Sequence, residues 1–181
     1  MFFLIVATAL RPGKRTARIA QALGAACAAQ GIEAERLDLS ASPLPLRDGS
    51  VCFQNPGVLA ATAQVRSAAA TTLCFPVYNH QANAAPKNFA EVKNEGWKGI
   101  VVGLVASGGT NRSALVPRSL AHALRVDHRC MIVPRFGVVT PAHFAADGTL
   151  AADSETASHL ADLSRDVAHL SSHWPRENRT V

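Results

Sequence analysis

Three short segments carry residue types that can do chemistry. The first, Ala9–Thr16 (ALRPGKRT), puts Arg11, Lys14, Arg15 and Thr16 within six residues. Arginine grips phosphate or carboxylate through a planar fork of donors. A helix opening here would add free backbone N–H groups and the positive end of its dipole. The segment therefore reads either as a phosphate subsite or as an ordinary turn capped by Thr16 with its arginines in solvent. The second segment, Phe75–Asn88 (FPVYNHQANAAPKN), holds the only tyrosine, Tyr78, beside Asn79, His80, Gln81 and Asn83. A flat heteroaromatic ring needs apolar contact on its face and hydrogen bonds along its edge, and this segment offers both. The alternative is a polar loop that uses Asn and Gln for turn chemistry. His80 could also act as a general acid. The third segment, Ala106–Arg112 (ASGGTNR), has Gly108 and Gly109, whose missing side chains let backbone approach a ligand. Ser107, Thr110 and Asn111 add hydrogen-bonding groups, with a helix N-cap at Thr110 or Asn111 as the competing reading.

Other patterns are absent. There is no GxxxxGK[ST] phosphate loop and no GxGxxG dinucleotide fingerprint. No Ser-His-Asp, Cys-His or paired-carboxylate pattern stands out, so no catalytic side chain is assigned. Cys27, Cys52, Cys74 and Cys130 are widely spaced with no CxxC pair. They read as reduced, buried thiols in a cytoplasmic protein rather than as zinc ligands or a disulfide framework, and no metal site is expected.

The elements around these segments alternate. Phe2–Thr8 is continuously apolar and reads as a strand buried on both faces. Thr16–Gln30 reads as a helix stopped by Gly31. Glu33–Leu39 alternates polar and apolar residues and suits a strand nearer the sheet edge. Ser40–Asn55 is a loop. Pro56–Ala68 is a helix capped by Asn55. Thr71–Phe75 is a third strand ended by Pro76, and Pro76–Ala85 is a loop. Pro86 can open a short helix to about Asn94. Lys98–Ala106 is a fourth, buried strand. A helix over Ser113–Arg125, a fifth strand over His128–Val133, an irregular stretch to the Asp147-Gly148 turn, and a final helix over Ser154–Trp174 complete the chain. Such alternation implies a parallel sheet with helices on both faces. In such sheets ligands bind outside the carboxyl ends of the strands. All three segments follow buried strands, so all three should meet at one edge.

The chain of 181 residues is expected to form one domain, residues 1–181, with 48% hydrophobic residues to fill a core. No apolar run is long enough to span a bilayer. Met1–Leu10 lacks the basic start and small-residue cleavage site of a signal peptide. Net charge is +5, from 18 Lys+Arg and 13 Asp+Glu, and aromatics make up only 6%. That favours an anionic small molecule over nucleic acid, whose binders more often show a long basic stripe with stacking aromatics.

Together, RPGKRT after the first strand, PVYN after the third, PKN downstream of Pro76, and SGGT after the fourth resemble the NADPH-dependent FMN reductase family of flavodoxin-like proteins. The resemblance covers about residues 1–136, and the DGTL segment with its final helix looks like the family's C-terminal end. Thr8-Ala9 stands where the family carries Gly-Ser, His80 where it usually has a small residue, and Pro86-Lys87-Asn88 where it has Leu-Lys-Asn. The resemblance implies a flavodoxin-like three-layer sandwich with a five-stranded parallel sheet in the order 2-1-3-4-5. It implies FMN with its phosphate at Arg11, Lys14, Arg15 and Thr16. The isoalloxazine would lie against Pro76, Val77, Tyr78 and Asn79, beside His80, with Ser107, Gly108, Gly109, Thr110 and Asn111 near its pyrimidine or ribityl side. A hydride from NADPH or NADH would pass to flavin N5 and on to a flavin, quinone or similar acceptor. A homo-dimer or homo-tetramer is expected on the same ground. The alternative is a non-catalytic binding or regulatory module of the same fold with a drifted flavin pocket.

Overall fold

The computed structural model describes residues 2–92, 94–151 and 155–174, without the side chains of Asn94, Glu95 and Asn111. Its centre is a parallel sheet. Strand β1 (Phe3–Ala7) is buried at every position, as its unbroken apolar run requires. Helix α1 (Arg15–Ala28) carries the chain to β2 (Ala34–Asp38), an edge strand with a mixed polar pattern. Helix α2 (Pro56–Ser67) follows, then β3 (Ala70–Tyr78), the short β4 (Gln81–Ala82) and α3 (Ala84–Val92). Strand β5 (Val101–Ser107), α4 (Pro117–His128), β6 (Met131–Val139) and α5 (Glu155–His173) complete the order.

The strands run β2-β1-β3-β5-β6, and β4 pairs only with β3. Counting the parallel strands alone, this is the expected order 2-1-3-4-5 with helices on both faces. The order reverses between β1 and β3, which makes the gap beyond their carboxyl ends a switch point.

Alternate residues feed two cores. Leu4, Val6, Leu73, Phe75, Val102 and Leu104 share one cluster with Val65, Phe89, Trp97 and Leu124 from the α2–α4 side. Ile5, Ala7, Cys74, Val101 and Val105 share the other with Ile19 and Leu23 of α1 and Leu160, Leu163 and Val167 of α5. Both clusters hold side chains at or near zero exposure. Truncating one of them to alanine costs about 2–5 kcal/mol, so the sheet is a rigid base for the loops at its edge.

Several boundaries differ from the sequence expectation. Strand β3 does not end at Pro76. Pro76 pairs with Ser107, and the strand continues to Tyr78. Only the two residues Asn79 and His80 connect it to antiparallel β4, which lies inside the stretch expected to be loop. Helix α3 begins at Ala84 instead of Pro86. Pro86 then sits in the first turn, where its missing N–H costs nothing. The helix expected from Ser113 divides into a 3-10 turn at Asn111–Leu115 and α4 from Pro117. Helix α4 runs to His128 and stops at Arg129, which takes a left-handed conformation with φ 54°.

The fifth parallel strand therefore starts at Met131 rather than His128, and it extends through residues 134–139, which were expected to be irregular. The alternation that would mark this stretch is broken by a bulge. Val102 faces Ile132 and Leu104 faces Phe136, so three residues of β6 intervene where β5 has one. Pro134 is exposed in that bulge, a feature that protects an edge strand from further pairing. Residue 154, where the last helix was expected to begin, lies outside the described residues.

Candidate functional site

The carboxyl ends of β1, β3 and β5 lie side by side, with Ala7 opposite Cys74 and Pro76 opposite Ser107. The three segments singled out by residue type all leave the sheet there. Backbone bonds continue past the strand ends: Thr8 N donates to Cys74 O at 2.9 Å, and Gly108 N to Val139 O at 3.0 Å.

The first segment leads into α1. Lys14 is the N-cap residue and contributes no side-chain cap, and the first turn has no acidic residue. The side chains of Arg11, Lys14 and Arg15 are exposed, and none has a polar partner among the described residues. Thr16 is not the cap. It is the second helical residue, only 1% exposed, and its Oγ1 has no hydrogen-bond partner. A buried, unpaired hydroxyl costs about 1–3 kcal/mol unless something outside the chain satisfies it. The segment thus combines an uncapped helix end, an orphaned hydroxyl and free cations. Arg18, one turn further, is committed elsewhere: its Nη1 donates to Gly148 O at 2.5 Å.

The second segment is a hairpin. Val77 pairs with Ala82 and Tyr78 with Gln81. Both connecting residues are left-handed, Asn79 at φ 49° and His80 at φ 59°, the pattern of a type I′ turn. Asparagine tolerates this region; histidine does so less readily, and such strain tends to persist at functional positions. Pro76 and Val77 are half-buried, whereas Asn79, His80 and Tyr78 are exposed, Tyr78 by 61%. A large aromatic ring left this open offers a free apolar face.

The third segment divides its two glycines between two jobs. A Cβ at Gly108 would sit 2.3 Å from the Ser113 hydroxyl, so Gly108 allows buried Ser113 to pack. A Cβ at Gly109 would meet nothing within 4 Å, and Gly109 is exposed. Ser107 is buried at the end of β5. Thr110 is the N-cap of the 3-10 turn, its Oγ1 accepting from Arg112 N at 3.3 Å. Its own O–H remains free to donate.

One residue outside the expected site residues joins these loops. Asn83 ties the second segment to Thr8, the residue just ahead of the first, with its Nδ2 donating to Thr8 O at 3.2 Å and its backbone N to Pro76 O at 3.1 Å. Thr8 Oγ1 donates to Cys74 O at 3.3 Å, so both partners are fixed. The sequence showed Asn83 only as one polar residue among several, and its partner lies 75 residues away.

No thiol nucleophile is available beside the loops. All four cysteines are free and buried. Burial pushes Cys74 and Cys130 up to about 12 and Cys27 to about 11. A cleft of about 490 Å³ lies elsewhere, between α1 and α5 over an alanine-rich floor. A second, about 380 Å³, adjoins the first segment between Gly13, Ala17 and the end of β2. Among the described residues no helix is long and apolar enough to cross a membrane.

Residues 1–144 match the model of the NADPH-dependent FMN reductase family. The chain belongs to that family. No curated protein sequence matches it. Among solved structures, it is similar to FerB, a flavoenzyme NAD(P)H:(acceptor) oxidoreductase from Paracoccus denitrificans, with a TM-score of 0.77 and 18% identity over 96% of this chain and 98% of that one. It is also similar to the apo form of an NADH:FMN oxidoreductase, EMOB, with a TM-score of 0.71 and 12% identity over 96% and 89%. An oxidoreductase from Corynebacterium diphtheriae gives a TM-score of 0.72 at 17% identity over 96% and 98%. At these identities the neighbours establish the flavodoxin-like fold, and the family match establishes an FMN reductase-type oxidoreductase.

Proposed function

We propose that this family member is an NAD(P)H-dependent FMN oxidoreductase that holds FMN across the three loops. The observation that carries the reading is the start of α1. Thr16 Oγ1 is buried without a partner at an uncapped helix end, beside three unpaired cations. That donor set fits a phosphate monoester, which can accept from the hydroxyl, the backbone N–H groups and the guanidiniums at once. Arg11, Lys14, Arg15 and Thr16 would bind the phosphate. Pro76, Val77 and Tyr78 would support the ring, and Asn79 and His80 would lie at its edge. Ser107, Gly108, Gly109 and Thr110 would border the pyrimidine and ribityl side, with the open backbone at Gly109 approaching most closely.

The chemistry supplied by bound FMN is acceptance of a hydride from NAD(P)H at N5 and delivery of the electrons to a second substrate. The residues of this chain bind and orient. Backbone N–H groups of the third loop can stabilise negative charge at the ring edge as an oxyanion hole does. The Asn83 tie keeps the ring-binding hairpin in register with the phosphate loop, since each is bonded to the other through Thr8. No side-chain nucleophile is required, in keeping with thiols held protonated by burial.

The test is an absorption spectrum of the purified chain with added FMN, before and after NADPH. A perturbed flavin spectrum that bleaches on NADPH addition supports the proposal. An unperturbed spectrum at micromolar protein overturns it, and a perturbed spectrum that NADPH does not bleach identifies a non-catalytic flavin-binding module instead.

A further inference from the structure

We infer that the last turn of α5 carries a two-histidine chelate for a borderline divalent cation such as Zn²⁺, Ni²⁺ or Cu²⁺. His169 and His173 are four residues apart, so they lie on the same face of the helix one turn from each other. Their rings have already converged, with centroids 4.4 Å apart and planes tilted by 40°. Both are exposed, so a hydrated ion can reach them.

The hydrogen bonding of His173 favours ligation. Its Nδ1 lies 2.8 Å from His169 O. A carbonyl can only accept, so Nδ1 is the donor in this contact and Nε2 is the nitrogen left to face a metal. Ligating histidines almost always have the second ring nitrogen anchored in this way, which fixes ring orientation and tautomer. The Ser172 hydroxyl, 3.0 Å from the same Nδ1, adds a second polar neighbour.

Position on the helix contributes as well. The carbonyls of a helix's last turn face outward and give that end a partial negative charge, which favours a cation. The helix end is also held in place. Trp174 Nε1 donates to Gly99 O at 2.8 Å, so the pair sits on a fixed platform. Asp166 of the same helix is engaged by Arg135 Nε at 2.7 Å. Among the described residues no three His, Cys, Asp or Glu side chains converge on one ion. The described residues supply two imidazoles, and water can complete the coordination. Imidazole selects Zn²⁺, Ni²⁺ and Cu²⁺ over Mg²⁺ and Ca²⁺, with Cu²⁺ bound most tightly of the three. Gly99 precedes β5, so this site lies at the end of the sheet opposite the flavin loops. Its occupancy is independent of the redox reading.

The experiment uses the full chain, stripped with a chelator and free of any histidine tag. Backbone amide spectra are recorded while Cu²⁺ is added in substoichiometric amounts, and Zn²⁺ affinity is measured by calorimetry. The expected result is paramagnetic broadening centred on residues near His169 and His173, and one Zn²⁺ per chain. His169→Ala or His173→Ala should weaken Zn²⁺ by about tenfold or more, by analogy with the loss of groups that support a metal site. Both positions are exposed, so the metal-free unfolding midpoint of each variant should match wild type. Broadening centred elsewhere, for example on His80 or His122, overturns the inference. So does Zn²⁺ affinity unchanged in the double variant, or no binding of either metal.

Discussion

Helices α1 and α2 start in opposite ways. At α2, Asn55 Oδ1 accepts from Gly57 N at 2.9 Å and Val58 N at 3.3 Å, and Pro56 fills the first helical position. That terminus is satisfied by its own sequence. At α1 there is no side-chain cap, no acidic residue in the first turn, an orphaned Thr16 hydroxyl and a cluster of exposed cations. Both helices pack on the same sheet, on its two faces. A helix end that supplies its own acceptor is a structural terminus. On the proposed reading, a helix end that withholds one, and gathers cations instead, would receive an acceptor from outside.

The largest expected effect breaks the open terminus. Arg11→Glu with Arg15→Glu should remove charge-assisted hydrogen bonds worth about 1.5–3 kcal/mol each. Fluorescence titration should show FMN weakened at least tenfold, riboflavin affected far less, and the unfolding midpoint nearly unchanged, because both side chains are solvent-exposed. The reciprocal experiment breaks the closed terminus. Asn55→Ala should cost about 1 kcal/mol of stability by loss of the cap, seen in urea denaturation, with FMN affinity intact.

Thr16→Val sharpens the comparison further. Deleting a buried hydroxyl that has no partner should leave the flavin-free protein as stable as wild type or slightly more so. It should weaken FMN by the worth of one hydrogen bond to a charged acceptor, about 1.5–3 kcal/mol, and Thr16→Ser should retain most of the affinity.

The smallest effect expected is at another locally satisfied turn. Asp147 accepts from Thr149 N at 2.8 Å and from Thr149 Oγ1 at 2.7 Å, which holds its carboxyl below the ordinary value of 3.8. A lowered folded-state pKa means the stabilisation is present above that ordinary value and is lost as pH falls through the folded one. Asp147→Asn should therefore be slightly less stable than wild type at neutral pH and indistinguishable from it in strong acid, measured as urea midpoints at the two pH values.

The parts of the molecule that were legible from sequence are those in which a local signal and the tertiary outcome agree. FFLIVAT had to be a doubly buried strand, and Asn55-Pro56 had to start a helix. The parts that were not legible depend on distant partners. The Asn79-His80 turn lacks the glycine that usually marks a two-residue hairpin, so β4 was hidden inside an apparent loop. The β6 strand was truncated because Pro134 breaks its alternation, and only the bulge against β5 accommodates it. Asn83 gives no local sign that its amide bonds to Thr8. The two glycines of SGGT look equivalent in sequence, yet only Gly108 is demanded by Ser113. Residue types did point to the three loops, because the carboxyl edge of a parallel sheet gathers whatever follows its strands.

The central claim is that the start of α1 is a receptor for the phosphate of a flavin. It is tested most directly by titrating the flavin-free chain with FMN and with riboflavin under identical conditions and following flavin fluorescence. FMN should bind much more tightly than riboflavin, and the preference should disappear in the Arg11→Glu, Arg15→Glu variant. Equal affinity for the two flavins, or a preference that survives the charge reversal, would contradict it.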